Sequence, residues 1–114
     1  MTKLVAILTS GNWVHVSKLV DEENWESVIL VTNQQGKSAF KCNKPCEFIV
    51  LEEEWSVSQM IETIKIRLSK EYGEVGLNFV SGNGKEHMAL IAGVMQAGLS
   101  FRLVAITKEG IKEL

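Results

Sequence analysis

The sequence predicts an α/β domain, a Rossmann-like three-layer sandwich whose mostly parallel sheet of about five strands ends in a C-terminal antiparallel hairpin. Short apolar runs without polar alternation recur along the chain, a pattern typical of strands buried on both faces. Segments with helical apolar spacing lie between these runs, which favours parallel strands joined by crossover helices. The length of 114 residues, with 46% hydrophobic and 23% charged residues, fits a single domain over residues 1–114.

The first predicted elements form a βαβ unit. Residues 4–8 are all apolar and predict the first strand, which the polar residues 9–12 end. A short helix follows, with Ser10 or Asn12 as its cap. Its apolar stripe consists of Val16, Leu19 and Val20. Residues 27–32 are a second β-branched run and predict the second strand.

The middle of the chain predicts a loop, a strand and the most regular helix. Residues 33–45 are polar and have no apolar period, so we expect a loop with one short helical turn around residues 38–42. Residues 48–51 predict the third strand. A capping box of Ser56 and Gln59 begins the following helix. Its apolar stripe consists of Val57, Met60, Ile61, Ile64 and Leu68.

The C-terminal part predicts a strand, a helix and a hairpin. Gly73 is placed for a left-handed cap after the preceding helix, and residues 75–80 predict the fourth strand. The helix predicted over residues 85–97 is apolar on nearly every face, so we expect burial against both the sheet and a further surface. A tight turn separates two final strands, at residues 101–106 and 111–114.

Charge and hydropathy exclude several classes of protein. Twelve Lys and Arg against fourteen Asp and Glu give a net charge of −2, which disfavours binding of duplex nucleic acid through counterion release. The apolar runs are far shorter than the ~20 residues that span a bilayer, so we expect no membrane partner. The chain starts with a strand-like run and no signal-like pattern, so we expect a cytoplasmic protein.

The two cysteines are Cys42 and Cys46, spaced C-x3-C. Disulfide frameworks usually contain more cysteines, so reduced thiols are the expectation. A zinc site that adds His15 and His87 is a weaker alternative, because the spacing is not that of a zinc knuckle. We therefore expect neither a metal ion nor another cofactor.

Two loops have the composition of a phosphate site. The first contains Thr9, Ser10, Gly11, Asn12 and Trp13, and the second contains Ser81, Gly82, Asn83, Gly84 and Lys85. Both follow a predicted strand and begin a predicted helix, where backbone N–H donors and the helix dipole favour anions. Lys85 adds a positive charge. Neither loop contains a dinucleotide or P-loop fingerprint, which disfavours redox and NTPase chemistry.

The second loop carries a family resemblance. The run Ser81-Gly82-Asn83-Gly84-Lys85-x-x-Met88-Ala89, between a strand and a small-residue helix, resembles the C-terminal half of CRISPR-associated Rossmann-fold (CARF) domains. Gly82 and Lys85 match the family's Asn-x-Thr-Gly-Gly-Thr-Lys motif, and Asn78 stands for its asparagine one position earlier. Ser81 stands where the motif has threonine, and Asn83 and Gly84 stand where it has glycine and threonine. The first strand, loop and helix are also compatible, so the resemblance spans nearly the whole chain.

The resemblance implies a homodimer that binds a cyclic oligoadenylate across its two-fold axis, with both loops of each subunit at the ligand. It also implies slow ring cleavage in some members, in which a 2′-hydroxyl attacks the adjacent phosphate without a metal ion. Lys85 would then neutralise charge on the phosphate, and Ser10 or Thr9 would position the ribose or the phosphate. Two features depart from the family. The second helix is nearly absent from residues 33–45, and no effector domain follows, so we expect a stand-alone domain.

Several residues near the loops fit either a functional or a purely structural role. His15 and His87 fit a general acid or base as well as a partly exposed helix histidine, and His87 is included among the candidate ligand contacts. Trp13 fits stacking on an adenine or a core aromatic. Two charged groups are interpreted as solvated surface, although the first also fits a lid over an anion. They are Lys37, Lys41 and Lys44, and the acidic run Glu52, Glu53 and Glu54.

Two functional alternatives remain beside the cyclic oligoadenylate hypothesis. The apolar helix predicted over residues 85–97 fits a subunit interface, so the chain could be a non-catalytic interaction or structural dimer with a vestigial nucleotide site. The loops also fit another mononucleotide or a phosphorylated metabolite, which would stabilise the fold on binding.

Overall fold

A computed structural model describes residues 2–114 and contains a six-stranded sheet with four helices. The elements in chain order are β1 (Lys3–Leu8), α1 (Trp13–Glu22), β2 (Val28–Thr32), α2 (Gln34–Ala39), β3 (Glu47–Val50), α3 (Val57–Leu68), β4 (Glu74–Asn78), α4 (Gly84–Gln96), β5 (Ser100–Thr107) and β6 (Gly110–Glu113). The sheet order is β3-β2-β1-β4-β5-β6, and only β6 runs antiparallel to its neighbour. The predicted Rossmann-like α/β fold with a C-terminal hairpin is therefore confirmed.

The direction in which successive strands are added to the sheet reverses at its centre, between β1 and β4. This place is called the switch point below. Val5 of β1 pairs with Ile29 of β2 on one side and with Leu77 of β4 on the other. From β1 the chain moves outward through β2 and β3, and from β4 it moves outward the opposite way through β5. Loops that leave β1 and β4 therefore diverge from neighbouring strand ends, which is where ligands bind in open α/β sheets.

Two apolar layers hold the helices on the sheet. The predicted stripe Val16, Leu19 and Val20 of α1 is buried against one face, and Met60, Ile64 and Leu68 of α3 are buried against the other, together with α4. Close contact of α3 and α4 requires a glycine at Gly93, because an added Cβ would lie 2.6 Å from Cγ2 of Ile64. The capping box of Ser56 and Gln59 is present at the start of α3, as predicted.

The segment after β2 differs from the prediction. The sequence predicts one helical turn around residues 38–42, but α2 covers Gln34–Ala39. The Asn33 side chain caps it by accepting a hydrogen bond from the Gly36 amide at 2.8 Å. Gly36 lies directly against the Thr32 hydroxyl, which itself donates to the carbonyl oxygen of Leu8. The helix is fixed by a cap and a close backbone contact rather than by an apolar stripe, so a search for apolar periodicity misses it.

The expectation of reduced thiols is wrong in this structure. Cys42 and Cys46 are joined in a disulfide, with their Cα atoms 6.6 Å apart. The turn that follows α2 brings the two cysteines within the range a disulfide can bridge. A zinc site on these thiols is excluded while they are bonded to each other.

Gly73 has the predicted left-handed conformation, with φ of +85°, but the last helical cap before it is Ser69. The helix α4 is buried on one face, as predicted, but the second apolar face that we expected to be buried is exposed in the part of the chain described. Met88 and Met95 are 63% and 64% exposed on the side opposite the buried face. In the part of the chain the structure describes, no helix is long and apolar enough to cross a membrane.

Candidate functional site

The first loop (residues 9–13) and the second loop (residues 81–85) lie against each other where β1 and β4 end. The amide of Thr9 donates to Oγ of Ser81 at 3.0 Å, and this hydroxyl donates to the carbonyl oxygen of Ser10 at 3.3 Å. The amide of Gly82 donates to the same carbonyl oxygen at 2.9 Å. Ser81 is fully buried, so it joins the loops and its hydroxyl is not available to a ligand.

Glu86 is the residue that sequence reasoning missed at this site. Its side chain is buried, with 8% exposure, and Oε1 accepts hydrogen bonds from the Thr9 hydroxyl at 2.6 Å and the Asn83 amide at 3.0 Å. The Glu86 amide donates to Oδ1 of Asn83 at 2.9 Å, which completes a capping box at the start of α4. The spacing Asn83-x-x-Glu86 was the available sequence signal. One carboxylate therefore holds both loops and the helix N-terminus.

Glycines shape the two loops in different ways. Gly82 has φ of +102°, and an added Cβ would lie 2.7 Å from Cγ2 of Ile7 and 2.9 Å from Oε1 of Glu86. Gly82 is therefore required by the packing of the loops. A Cβ at Gly11 or Gly84 would meet no atom within 4 Å, so the backbone at these two positions is open to an approaching ligand.

The predicted side-chain cap of α1 is absent. Asn12 occupies the cap position in a left-handed conformation, with φ of 62°, and its side chain makes no capping hydrogen bond. Nδ2 of Asn12 instead donates to the carbonyl oxygen of Val80 at 3.1 Å. The prediction that Ser10 or Asn12 caps this helix is wrong, because the turn at Gly11 and Asn12 directs the amide toward the end of β4.

Trp13 is anchored to the first loop and to the segment after α2. Its indole Nε1 donates to the carbonyl oxygen of Thr9 at 2.8 Å. Its ring meets the edge of Phe40, with ring centroids 6.0 Å apart. The core-aromatic interpretation accounts for these contacts.

Lys85 is exposed, and its side chain reaches the turn between β3 and α3. Nζ donates to the carbonyl oxygens of Trp55 at 2.7 Å and Glu53 at 3.1 Å. The ammonium group is thus held by neutral backbone acceptors rather than by a carboxylate. An anion bound at the N-terminus of α4 would have to replace these two hydrogen bonds of the Lys85 ammonium group. It would not have to break an ion pair.

The two histidines belong to separate networks. His87 Nε2 lies 2.9 Å from the carbonyl oxygen of Ser81. A carbonyl only accepts, so Nε2 carries the hydrogen in this contact. His15 Nε2 lies 3.2 Å from Nδ2 of Asn78, whose amide also donates to the carbonyl oxygen of Val104 at 2.8 Å. Asn78 is buried and joins the end of β4 to β5, which is a structural role.

A cleft of about 180 Å³ opens between the loops and the segment that follows β3. Its lining is formed by Thr9, Ser10, Asn33, Leu51, Glu52, Glu53, Asn83 and Glu86. Glu52 and Glu53, interpreted from the sequence as solvated charges, are exposed and also form one wall of this cleft. Carboxylate, amide and hydroxyl groups can accept hydrogen bonds from hydroxyl or amino groups of a ligand. The carboxylates in this lining repel phosphate. Gly84 and Lys85 lie between the lining residues Asn83 and Glu86 in sequence but do not line the cleft themselves, so the start of α4 forms its rim.

The structure thus brings together most of the predicted site residues. Thr9, Ser10 and Asn83 line the cleft, and Ser81 and Gly82 hold the loops together. Gly11 and Gly84 do not line the cleft, but each follows a lining residue in the chain and has open space at its Cα. No protein-family model, curated protein or solved structure matches this chain.

Proposed function

We propose that this chain is a cytoplasmic CARF-like domain that binds a cyclic oligoadenylate across a homodimer. One observation carries the proposal. The first and second loops are hydrogen-bonded to each other at the switch point of a Rossmann-like sheet, with open backbone at Gly11 and Gly84. Ligands of open α/β sheets bind at this position.

Phosphate recognition is supported by the start of α4. The first amides of a helix have no intrahelical acceptor, and the helix dipole favours negative charge there. The Asn83 and Glu86 capping box uses the amide of Glu86, whereas the amides of Gly84 and Lys85 lie in the first turn and have no intrahelical acceptor. Lys85 adds a flexible cation that can exchange its two carbonyl partners for a phosphate oxygen.

Recognition of the nucleoside is supported by the polar cleft beside this rim. Ribose hydroxyls and the amino group of adenine are hydrogen-bond donors, and the cleft presents carboxylate acceptors from Glu52, Glu53 and Glu86. A carboxylate that accepts from ribose is a common feature of nucleotide sites in this class of sheet. The combination of a phosphate rim and an acceptor-rich cleft favours a nucleotide over free phosphate.

The same residues suit slow opening of the ring. The 2′-oxygen would attack the adjacent phosphorus while the bond from phosphorus to the 5′-oxygen breaks, giving a linear product with a 2′,3′-cyclic phosphate and a 5′-hydroxyl. Lys85 would neutralise the charge that develops on the phosphate, and Ser10 would orient the ribose or the phosphate. His87, whose Nε2 contacts the carbonyl oxygen of Ser81, is the candidate general base that takes the proton of the attacking 2′-hydroxyl. The 5′-oxygen takes up a proton as it leaves.

The homodimer is supported by the uncovered apolar face of the molecule. Met88 and Met95 lie two turns apart on the outer side of α4, with Ile91 and Ala92 between them on the same side. A two-fold contact uses one patch on both subunits, so an apolar helix face of this kind can pack on its own copy. Phe101 and Leu103 of β5 are 36% and 37% exposed and add apolar surface.

The second candidate function is an interaction or structural dimer whose nucleotide site is vestigial. The same apolar face favours it, together with the carboxylates that line the cleft and the backbone contacts that already occupy Lys85. This reading predicts a tight dimer that no nucleotide stabilises.

Incubation of micromolar protein with cyclic tetra-adenylate, followed by a mobility shift and by chromatography of the products, tests the proposal. We expect a shift, a linear product, or both. Lys85→Ala weakens binding about tenfold or more, since a charge-assisted hydrogen bond contributes about 1.5–3 kcal/mol. The matched control is Lys70→Ala, an exposed lysine that follows α3. Absence of both shift and product, with a folded protein, overturns the proposal.

A further inference from the structure

The C-x3-C pair is placed where an oxidation could change the first loop. Cys42 and Cys46 are the only cysteines of the chain, and their disulfide closes the turn between α2 and β3. Both residues are partly exposed, and both pack against the apolar layer around α1. Residues 40–46, which comprise the closed turn at 42–46 and the two residues before it, are called the cysteine segment below.

The cysteine segment contacts both ends of α1. Its start contacts the first residue of α1, because the ring of Phe40 meets the ring of Trp13 edge-on. Its middle contacts the end of α1. Nδ2 of Asn43 donates to Oδ2 of Asp21 at 3.2 Å, and the Lys44 ammonium group donates to the carbonyl oxygen of Glu23. A change in the mobility of the cysteine segment therefore affects contacts at both ends of α1.

The contact at the start of α1 continues into the first loop. Trp13 Nε1 donates to the carbonyl oxygen of Thr9 at 2.8 Å, and the Thr9 hydroxyl donates to Glu86. Two side-chain contacts, from Phe40 to Trp13 and from Trp13 to Thr9, thus connect the cysteine segment with the loop pair.

We propose that Cys42 and Cys46 form a reversible thiol–disulfide site whose redox state sets the mobility of the first loop through Phe40 and Trp13. The reaction partner is a small disulfide such as oxidised glutathione. One cysteine thiolate attacks a sulfur of that disulfide, forming a mixed disulfide and releasing one glutathione thiolate. The second cysteine thiolate then attacks the protein sulfur and releases the other. The two cysteines lose two electrons in all, two glutathione thiols are formed, and excess reduced glutathione reverses the reaction.

Several features favour a switch over a permanent structural disulfide. The loop closed by the pair is short, and the pair is partly exposed. Phe40, Cys42 and Cys46 pack against the apolar layer around α1 without being fully buried, and two hydrogen bonds and one aromatic contact hold the segment to α1. Exposed disulfides are the ones that serve regulatory roles in reducing compartments. The proposal does not depend on the proposed nucleotide function.

The test equilibrates the full chain in glutathione buffers from reducing to oxidising, counts free thiols by alkylation and mass spectrometry, and measures amide hydrogen exchange. We expect the pair to convert between two thiols and one disulfide. We expect residues 9–13 and 40–46 to exchange on the order of tenfold faster when reduced, since a disulfide that closes a short loop restricts its open states. A Cys42→Ser, Cys46→Ser double variant should show the same exchange in every buffer.

Phe40→Ala tests the route of the coupling. This variant should preserve the redox-dependent change in amide hydrogen exchange at residues 40–46 and abolish the change at residues 9–13. The proposal is overturned if the cysteines stay reduced in oxidised glutathione, or if residues 9–13 exchange equally in both states. It is also overturned if the double serine variant responds like the wild type, or if Phe40→Ala leaves the response of residues 9–13 unchanged.

Discussion

The hydroxyl of Thr9 and the carboxylate of Glu86 are joined by a 2.6 Å hydrogen bond between residues 77 positions apart in sequence. Thr9 follows β1 and Glu86 lies in the first turn of α4, so this contact ties the two loops at the switch point of the sheet. The same carboxylate oxygen accepts from the Asn83 amide. The geometry of the candidate site therefore depends on one buried acid.

Loss of this acid is expected to destabilise the protein. Glu86→Ala leaves the Thr9 hydroxyl and the Asn83 amide without their acceptor and is expected to cost about 2–3 kcal/mol in the free energy of unfolding. Glu86→Gln retains an oxygen at the same position and is expected to cost about half as much. Urea denaturation of the two variants measures the difference. Equal stability of Glu86→Ala and wild type would contradict the assigned role.

Gly82 and Gly84 provide a matched pair of substitutions in the same loop. Gly82→Ala combines a positive φ with contacts to Ile7 and Glu86 below 3.0 Å, so we expect it to cost about 3 kcal/mol. Gly84→Ala meets open space at the first position of α4 and is expected to be neutral or stabilising by about 0.5 kcal/mol. Thermal melting of both variants tests this. A similar melting temperature for the two would show that the loop tolerates a side chain at Gly82.

The exposed methionines of α4 are expected to form the dimer contact. Met88→Lys combined with Met95→Lys places like charges opposite each other in a two-fold interface, so we expect dimer affinity to fall at least about tenfold. The control is Ile66→Lys, which changes an exposed apolar residue of α3. Sedimentation over a concentration series is the measurement. A dimer that is equally tight in the double variant and the control would place the interface elsewhere.

Glu71 gives a pH-dependent contribution to stability. Burial raises the pKa of its carboxyl group, but hydrogen bonds and charges of Arg67 and Lys3 outweigh burial and lower the pKa below 4.5. A carboxylate with a lowered folded-state pKa stabilises the fold above its unfolded-state pKa, and this contribution is lost as the pH falls through the folded-state value. Glu71→Gln should therefore cost about 1 kcal/mol at pH 7 and progressively less below pH 4.5.

Denaturant titrations from neutral to acidic pH measure this change. The matched control is Glu62→Gln, which changes an exposed residue on α3 and should show no such trend. A penalty for Glu71→Gln that is constant with pH would show that the effect comes from packing rather than from charge.

Most of the fold could be predicted from the sequence because apolar runs and helical stripes report burial directly. The stripe of α1 and the capping box of α3 are confirmed residue by residue. The helix α2 was misplaced because it is held by the Asn33 cap and by contact of Gly36 with Thr32, neither of which leaves an apolar period.

The candidate site could be predicted only in part, because its loops are visible in local composition and its long-range contacts are not. Loop composition identified residues 9–13 and 81–85, and the structure brings them together. The role of Glu86 depends on a contact across 77 positions, which local spacing does not encode. The Cys42 to Cys46 bond was missed because cysteine number and expected compartment, rather than local geometry, guided the prediction.

The most direct test of the proposed function is the stoichiometry of binding to cyclic tetra-adenylate, measured by isothermal titration calorimetry at a protein concentration where the dimer is formed. A ligand bound across a two-fold axis gives one ring for every two chains, and Lys85→Ala weakens it while Lys70→Ala does not. Absence of binding, or one ring bound to each separate chain, would contradict the proposal.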